Sequence, residues 1–105
     1  SGLSEEEVVN LLDKDLARFV SSVNNLVSVE LTQNEFDALV SFTFNVGAGS
    51  FASSTLLKKL NREMYEEVPK ELLRWNKVAG KASKGLTRRR EIEGKIFAKG
   101  EYPAS

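Results

Sequence analysis

The most apolar stretch of the chain lies near its middle, between Phe36 and Gly47, and contains three phenylalanines, two valines and a leucine. Thr32 precedes this stretch, with Glu35 three residues later, which is the spacing of a capping box at a helix start. Gly47 suits the end of a helix. A helix that is apolar on nearly every side is usually buried on every side. The pattern therefore predicts a buried central helix over about residues 32–46.

Apolar residues also recur at intervals of three and four on both sides of this segment, which is typical of amphipathic helices. Ser4 begins a second capping box, so we predict a first helix over about residues 4–23. A last helix is predicted over about residues 86–99, where Arg89 and Glu93 are spaced for an ion pair one turn apart. These two helices are expected to pack around the central one.

The segments between these helices contain shorter patterns. Ser53 or Ser54 is predicted to cap a short helix, and Pro69 predicts either a kink or two short helices. Residues 77–85 combine lysines with glycines and serine, so they are predicted to form an exposed loop. No strand-like alternation is seen. The prediction is an all-α fold: one helical domain over residues 1–105, a compact bundle of five to seven helices around the buried central helix.

Composition narrows the possible functions. A length of 105 residues suits one domain with one core, and fifteen basic residues cancel fifteen acidic ones. Cysteine and histidine are absent, which excludes disulfides, thiolate metal sites and the usual general base near neutral pH. No apolar run approaches the roughly 20 residues that span a bilayer. We therefore predict no cofactor, no metal and neither a nucleic-acid nor a membrane partner.

Four motifs follow one another along the chain: Phe42-Thr43-Phe44-Asn45-Val46-Gly47-Ala48-Gly49, Ser53-Ser54-Thr55-Leu56-Leu57, Leu73-Arg74-Trp75-Asn76-Lys77 and Gly85-Leu86-Thr87-Arg88-Arg89-Arg90-Glu91. In this order they resemble the phage-type lysozymes, the endolysins of glycoside hydrolase family 24. The resemblance covers essentially the whole chain. It implies a lysozyme-like helical lobe and a parent enzyme that hydrolyses the β-1,4 bond between N-acetylmuramic acid and N-acetylglucosamine. It also implies synthesis in the bacterial cytoplasm and action on cell-wall peptidoglycan.

The same resemblance implies that the family's catalytic glutamate lies in an amino-terminal lobe, upstream of the part that this chain matches. We therefore expect the chain to be the carboxy-terminal lobe, inactive alone, with the missing catalytic lobe as its partner. No catalytic residue is assigned. The alternative is a stand-alone, non-catalytic binding or interaction module derived from that lobe.

Glu6, Asp15 and Ser21 repeat the spacing of the family's catalytic triad, with serine in place of threonine. All three fall on the first predicted helix. Nine residues at about 100° each put Glu6 and Asp15 on opposite sides of that helix, with roughly 13 Å of axial rise between them. Glycosidase carboxyl groups lie about 5 Å or 6.5–9.5 Å apart. The coincidence of spacing is therefore not interpreted as a catalytic site.

The resemblance implies substrate-binding positions at Phe44, Asn45 and Thr55, on the cleft between the lobes. An asparagine amide both donates to and accepts from a saccharide or peptide group. Asn45 has an equally good structural explanation, in which it satisfies backbone groups at the helix end. Trp75 stacks on a sugar in one interpretation and belongs to the core in the other.

Basic residues cluster near the start of the last predicted helix; they are Lys77, Lys81, Lys84, Arg88, Arg89 and Arg90. One interpretation is attraction to the anionic cell wall or to nucleic-acid phosphates. The other is a solvated surface whose arginines pair with Glu91 and Glu93. Aromatic residues do not interleave with these charges, which weakens the nucleic-acid version.

Without the small lobe, an apolar patch is expected on the chain's surface. It would comprise Leu3, Val8 and Val9 near the start, together with Phe44 and Val46 at the cleft. Exposed patches of this kind tend to mark interfaces. A weak homodimer is therefore predicted.

Overall fold

A computed structural model describes residues 17–102 of the protein. Residues 17–26 are helical and are labelled α1. The elements that follow are α2 (Gln33–Val46), α3 (Ala48–Ala52), α4 (Thr55–Leu60), a 3-10 helix (Tyr65–Glu67), α5 (Val68–Leu73), β1 (Lys77–Val78), β2 (Lys81–Ala82) and α6 (Lys84–Lys99). The prediction of an all-α bundle around a buried central helix is confirmed. The predicted start of the first helix at Ser4 lies outside the described residues.

The central helix, α2, begins at the capping box that the sequence contains. The Thr32 side chain accepts a hydrogen bond from the backbone N–H of Glu35, and the Glu35 carboxylate accepts one from the backbone N–H of Thr32, at 2.8 Å. The helix ends at Gly47, whose φ of +96° favours glycine and whose N–H donates to the Thr43 carbonyl at 2.8 Å. Between these ends, α2 packs most extensively against α6.

The core is organised around Phe42 on α2, which is fully buried. Its ring meets those of Phe51 and Trp75 edge to face, with centroids 6.2 Å and 5.5 Å away respectively. The guanidinium carbon of Arg90 lies 5.1 Å from the Phe42 ring centroid, within reach of a cation–π interaction. Three helices, α2, α3 and α6, and the segment after α5 therefore meet at one aromatic side chain.

Two short helices meet next to Pro69, which is one of the two alternatives that the sequence predicts. The 3-10 helix ends at Glu67, and α5 begins at Val68 with the proline as its second residue. A proline is tolerated there because the backbone N–H groups of the first turn have no intrahelical acceptor.

The predicted loop over residues 77–85 is wrong in part, because β1 and β2 form a small antiparallel hairpin there. Ala79 and Gly80 connect the strands with φ values of +52° and +81°, as in the tight turns that match strand twist. All four strand residues are exposed. These strands therefore have no apolar alternation by which the sequence could have predicted them.

The last helix begins two residues before the predicted Leu86, because Ser83 caps it. The Ser83 hydroxyl accepts a hydrogen bond from the Leu86 backbone N–H at 3.3 Å, so Lys84 is the first helical residue. At the other end, Gly100 has a left-handed φ of +69° and donates to the Ile96 carbonyl at 2.9 Å. This helix packs against both α2 and α5.

Candidate functional site

A surface concavity of about 260 Å³ lies between α4 and the end of α5, lined by Thr55, Glu71, Arg74 and Trp75. Ser54 caps α4 by accepting a hydrogen bond from the Leu57 backbone N–H at 3.1 Å, which makes Thr55 the first residue of that helix. The concavity thus combines an aromatic ring, a hydroxyl, a carboxylate and a guanidinium. Such a set of groups can bind a polar ligand that also has an apolar face.

Glu71 supplies the buried carboxylate of this concavity. One of its oxygens, Oε2, lies 2.9 Å from Lys59 Nζ, and the other, Oε1, lies 3.2 Å from Arg74 Nη1. The hydrogen bond from Lys59 is the main reason why the pKa of the Glu71 carboxyl lies below its ordinary value, although burial opposes it. Glu71 is therefore ionised at neutral pH. It can accept hydrogen bonds, but it cannot serve as the general acid of a glycosidase.

The sequence left two interpretations of Trp75 open, a position in the core and a position facing a ligand, and its ring takes part in both environments. It is half-buried, packs edge to face on Phe42 and also lines the concavity. The core interpretation and the ligand-facing interpretation are therefore compatible.

Phe44 and Asn45 do not line the concavity that contains Thr55. Phe44 is half-buried, and its ring lies 5.4 Å from that of Phe19, edge to face, so it joins α2 to α1. Asn45 is exposed, and its side-chain amide has no hydrogen-bond partner within residues 17–102. The backbone at the end of α2 is instead satisfied through Gly47. Of the three predicted binding residues, only Thr55 is brought together with Trp75.

Glu71 and Arg74 also belong to the site, although the sequence did not predict them as members. Their spacing of three residues, at the end of α5, is that of an ordinary ion pair on a solvated helix. The partner that marks Glu71 as special is Lys59, which lies on α4, twelve residues earlier in the chain. No local pattern indicates that contact.

The predicted basic cluster divides into exposed and buried members. Arg89 pairs with Glu93 at 3.5 Å, as its spacing predicts. Arg90 is fully buried, so its assignment to a solvated surface is wrong. It lies beneath Phe42, where its aliphatic stem fits the core and its charge faces the aromatic ring.

Arg90 and Glu93 form a buried ion pair on α6, with 2.7 Å between Arg90 Nε and Glu93 Oε1. The Ser41 hydroxyl on α2 donates to Glu93 Oε2 at 2.7 Å. Burial raises the pKa of the Glu93 carboxyl, whereas the hydrogen bond from Ser41 and the charges of Arg90 and Arg89 oppose that rise. The pair lies in the core and lines no part of the concavity that contains Thr55, so it is not part of the candidate site.

Residues 17–102 contain no group of three histidine, cysteine, aspartate or glutamate side chains that is placed to hold a metal ion. In the same part of the chain, none of the helices has the length and apolar character needed to cross a membrane.

Comparison with known proteins identifies the family to which this helical fold belongs. The family model described as phage lysozyme matches residues 1–93, so the chain belongs to the phage lysozyme family. The predicted resemblance is thereby confirmed.

Curated relatives of the chain are endolysins. It is 48% identical over 99 residues to the endolysin of Bacillus phage B103, covering 94% of this chain and 38% of that protein. It is 43% identical over 94 residues to the SAR-endolysin of Escherichia phage Mu, covering 90% of this chain and 55% of that protein. The chain thus spans less than two thirds of the length of either relative.

Solved structures agree with this assignment. The endolysin from Escherichia coli O157:H7 phage FAHEc1 superposes with a TM-score of 0.90 at 37% identity, covering 97% of this chain and 67% of that one. The muramidase domain of SpmX from Asticaccaulis excentricus superposes with a TM-score of 0.86 at 38% identity, covering 92% and 69% respectively.

Proposed function

We propose that this chain forms the carboxy-terminal helical lobe of an endolysin that hydrolyses the β-1,4 bond between N-acetylmuramic acid and N-acetylglucosamine in peptidoglycan. The observation that carries the proposal is the phage lysozyme match over residues 1–93. The lobe supplies a wall of the substrate cleft, and the general acid comes from elsewhere in the enzyme. The lowered pKa of Glu71 supports this division, because the carboxylate in the concavity is ionised.

Within this function, Asn45 and Thr55 contact substrate, and Phe44 holds the end of α2 in place through Phe19. The exposed Asn45 amide supplies a donor and an acceptor to a saccharide or a peptide stem. Thr55 acts beside Trp75, whose ring offers an apolar surface to a sugar ring. The amino-terminal catalytic lobe is the partner that completes the cleft.

The test is a chimera in which this chain replaces the matching segment of the endolysin of Bacillus phage B103. The chimera is expected to clear a suspension of purified peptidoglycan. Asn45→Ala and Thr55→Ala should each lower kcat/KM about fivefold to tenfold, the equivalent of one hydrogen bond of about 1 kcal/mol. Asn24→Ala is the matched control, since Asn24 is exposed on α1 and lines a different hollow. A folded chimera that binds peptidoglycan without clearing it would favour the stand-alone binding module.

We also propose the weak homodimer. Phe44 and Val46 are half-buried, so each keeps part of its side chain exposed for this interface. The other predicted members, Leu3, Val8 and Val9, lie outside the described residues. Light scattering over a concentration series should give an apparent mass that rises above 11.7 kDa and falls back in Val8→Glu. A constant monomer mass in both proteins would contradict the dimer.

A further inference from the structure

The charge of the chain is unevenly distributed, although its sum is zero. Residues 72–90 contain seven of the fifteen basic residues and none of the fifteen acidic ones. Three of the seven arginines and lysines pair with Glu71 or Glu93. The other four are exposed and make no ion pair within residues 17–102; they are Lys77, Lys81, Lys84 and Arg88, and we call them the basic face.

The hairpin and the start of α6 hold the basic face together. The Asn76 carbonyl accepts a hydrogen bond from the Ser83 backbone N–H at 2.7 Å, and the Asn76 amide donates to the Thr87 hydroxyl at 3.0 Å. Lys77, Lys84 and Arg88 directly follow these three residues in the chain. The backbones of these three members of the basic face therefore lie close together. Lys81 belongs to the same hairpin through its pairing with Val78, and its side chain leaves the ribbon on the side opposite to that of Lys77. The four cations therefore belong to one folded unit.

This arrangement of charge is unfavourable for the free protein. Lys84 and Arg88 are like charges one turn apart on α6, which destabilises a helix. Lys84 is also the first residue of α6, where the helix dipole is positive, and the first turn contains no acidic residue. A bound polyanion would relieve both repulsions.

We propose that the basic face binds a linear polymer whose repeating charge is a phosphodiester, of the kind attached covalently to peptidoglycan. Arginine and lysine both donate charge-assisted hydrogen bonds to phosphate oxygens. The hairpin begins two residues after Trp75, at the edge of the concavity, so the polymer lies beside the glycan strand; this choice of polymer rests on the proposed function. The basic face then anchors the lobe to the wall next to the bond that is cut.

A nucleic acid offers the same phosphate chemistry but fits the surface less well. Proteins that bind single strands place aromatic rings among the basic residues, so that bases stack on them. The large hydrophobic residues exposed within residues 17–102 are Leu73, Val78 and Tyr102, and of these only Val78 lies in the hairpin. The Tyr102 hydroxyl donates to Asp37 on α2, a different element from the hairpin. No residue between positions 77 and 88 is aromatic, so the segment that contains the basic face carries charge without a stacking platform of its own.

The experiment measures co-sedimentation of the full chain with cell walls that carry poly(glycerol phosphate), and with walls from the same batch stripped of phosphodiesters by hydrofluoric acid. Binding to the complete walls is expected to be at least about tenfold tighter. Between 50 and 200 mM salt it should weaken by about 20- to 50-fold, as expected for release of three to four counterions. Equal binding to both kinds of wall would overturn the proposal.

A matched pair of variants tests the location of the site. K77Q/K81Q/K84Q/R88Q should lose the preference for complete walls, whereas K58Q/R62Q/K95Q/K99Q removes the same charges from other exposed positions and should retain it. Circular dichroism checks that both remain helical. If the first variant does not fold, competition on the unaltered chain decides: soluble poly(glycerol phosphate) should release it from the walls. Equal losses in both variants, failure of that competitor, or stronger competition by single-stranded DNA at equal phosphate would overturn the proposal.

Stripped walls also separate this inference from the proposed function. The B103 chimera should clear stripped peptidoglycan, because glycan cleavage does not need the phosphodiester polymer. If the chimera clears stripped walls but the chain does not distinguish complete from stripped walls, only the polymer proposal fails. If the chain distinguishes them and the chimera clears neither, the proposed endolysin function fails.

Discussion

Phe42 is the residue on which the core depends most, because its ring contacts Phe51, Trp75 and the Arg90 guanidinium. Replacing it with alanine should lower the free energy of unfolding by about 3–5 kcal/mol, the usual loss for a buried aromatic side chain. Phe44→Ala is the matched control and should lose clearly less, since Phe44 is half-buried. Urea denaturation measures both. Equal losses would contradict the particular role of Phe42, and negligible losses in both variants would contradict the central role of α2.

Glu71 gives the concavity a pH-dependent stability. Its pKa in the folded protein lies below the ordinary value of 4.5, so the ionised form stabilises the fold fully above that pH. As the pH falls through the lower folded value, this contribution disappears. Glu71→Gln should therefore lower the urea midpoint at pH 7 and match the unaltered protein in strong acid. Glu66→Gln, at an exposed position that makes no ion pair within residues 17–102, is the matched control and should leave the urea midpoint at pH 7 nearly unchanged.

At the scale of single residues, the sequence predicted some roles and not others for a physical reason. The capping box of Thr32 and Glu35 is local, so spacing alone indicates it. The burial of Arg90 is not local. It depends on two residues of α2, some fifty positions earlier: Phe42, whose ring lies against the Arg90 guanidinium, and Ser41, which donates a hydrogen bond to its partner Glu93. Three consecutive arginines in a sequence otherwise look like a solvated helix face.

At the scale of elements, the buried ion pair fixes how α6 sits against α2. Arg90→Met should cost about 3–5 kcal/mol of stability, because it leaves the Glu93 charge buried without its closest partner. The double variant Arg90→Met/Glu93→Leu should recover part of that loss. Arg88→Met, on the exposed side of α6, is the control and should change stability little. A double variant whose losses simply add would show that the two side chains do not depend on each other.

Helices α2, α4 and α6 were predictable because each buries apolar residues and begins at a capping side chain, whereas the hairpin has neither signal. Its strands are two residues long and exposed. The glycine of its turn indicated only a loop. The candidate site was predictable only in part. Thr55 and Trp75 belong to motifs that resemble the lysozyme family, but the pairing of Glu71 with Lys59 joins two helices and leaves no trace in local spacing.

At the scale of the whole molecule, the 105-residue chain alone should not clear a peptidoglycan suspension. Its nearest imitation of a catalytic triad, with Glu6 and Asp15, puts the two carboxylates on opposite sides of the predicted first helix. Turbidity assays with the isolated chain and with Glu6→Gln measure this directly. Clearing that is abolished in Glu6→Gln would mean that Glu6 is catalytic and that the division into two lobes is wrong.

The most direct test of the account is the initial rate at which the B103 chimera clears stripped peptidoglycan, compared with the isolated chain at equal concentration. If this chain is the helical lobe of a lysozyme, the chimera clears the suspension well above the background set by the isolated chain. Such clearing would show that this chain can take the place of the matching segment in the B103 endolysin. A chimera that is helical, unfolds cooperatively and still clears no faster than the isolated chain would contradict the account.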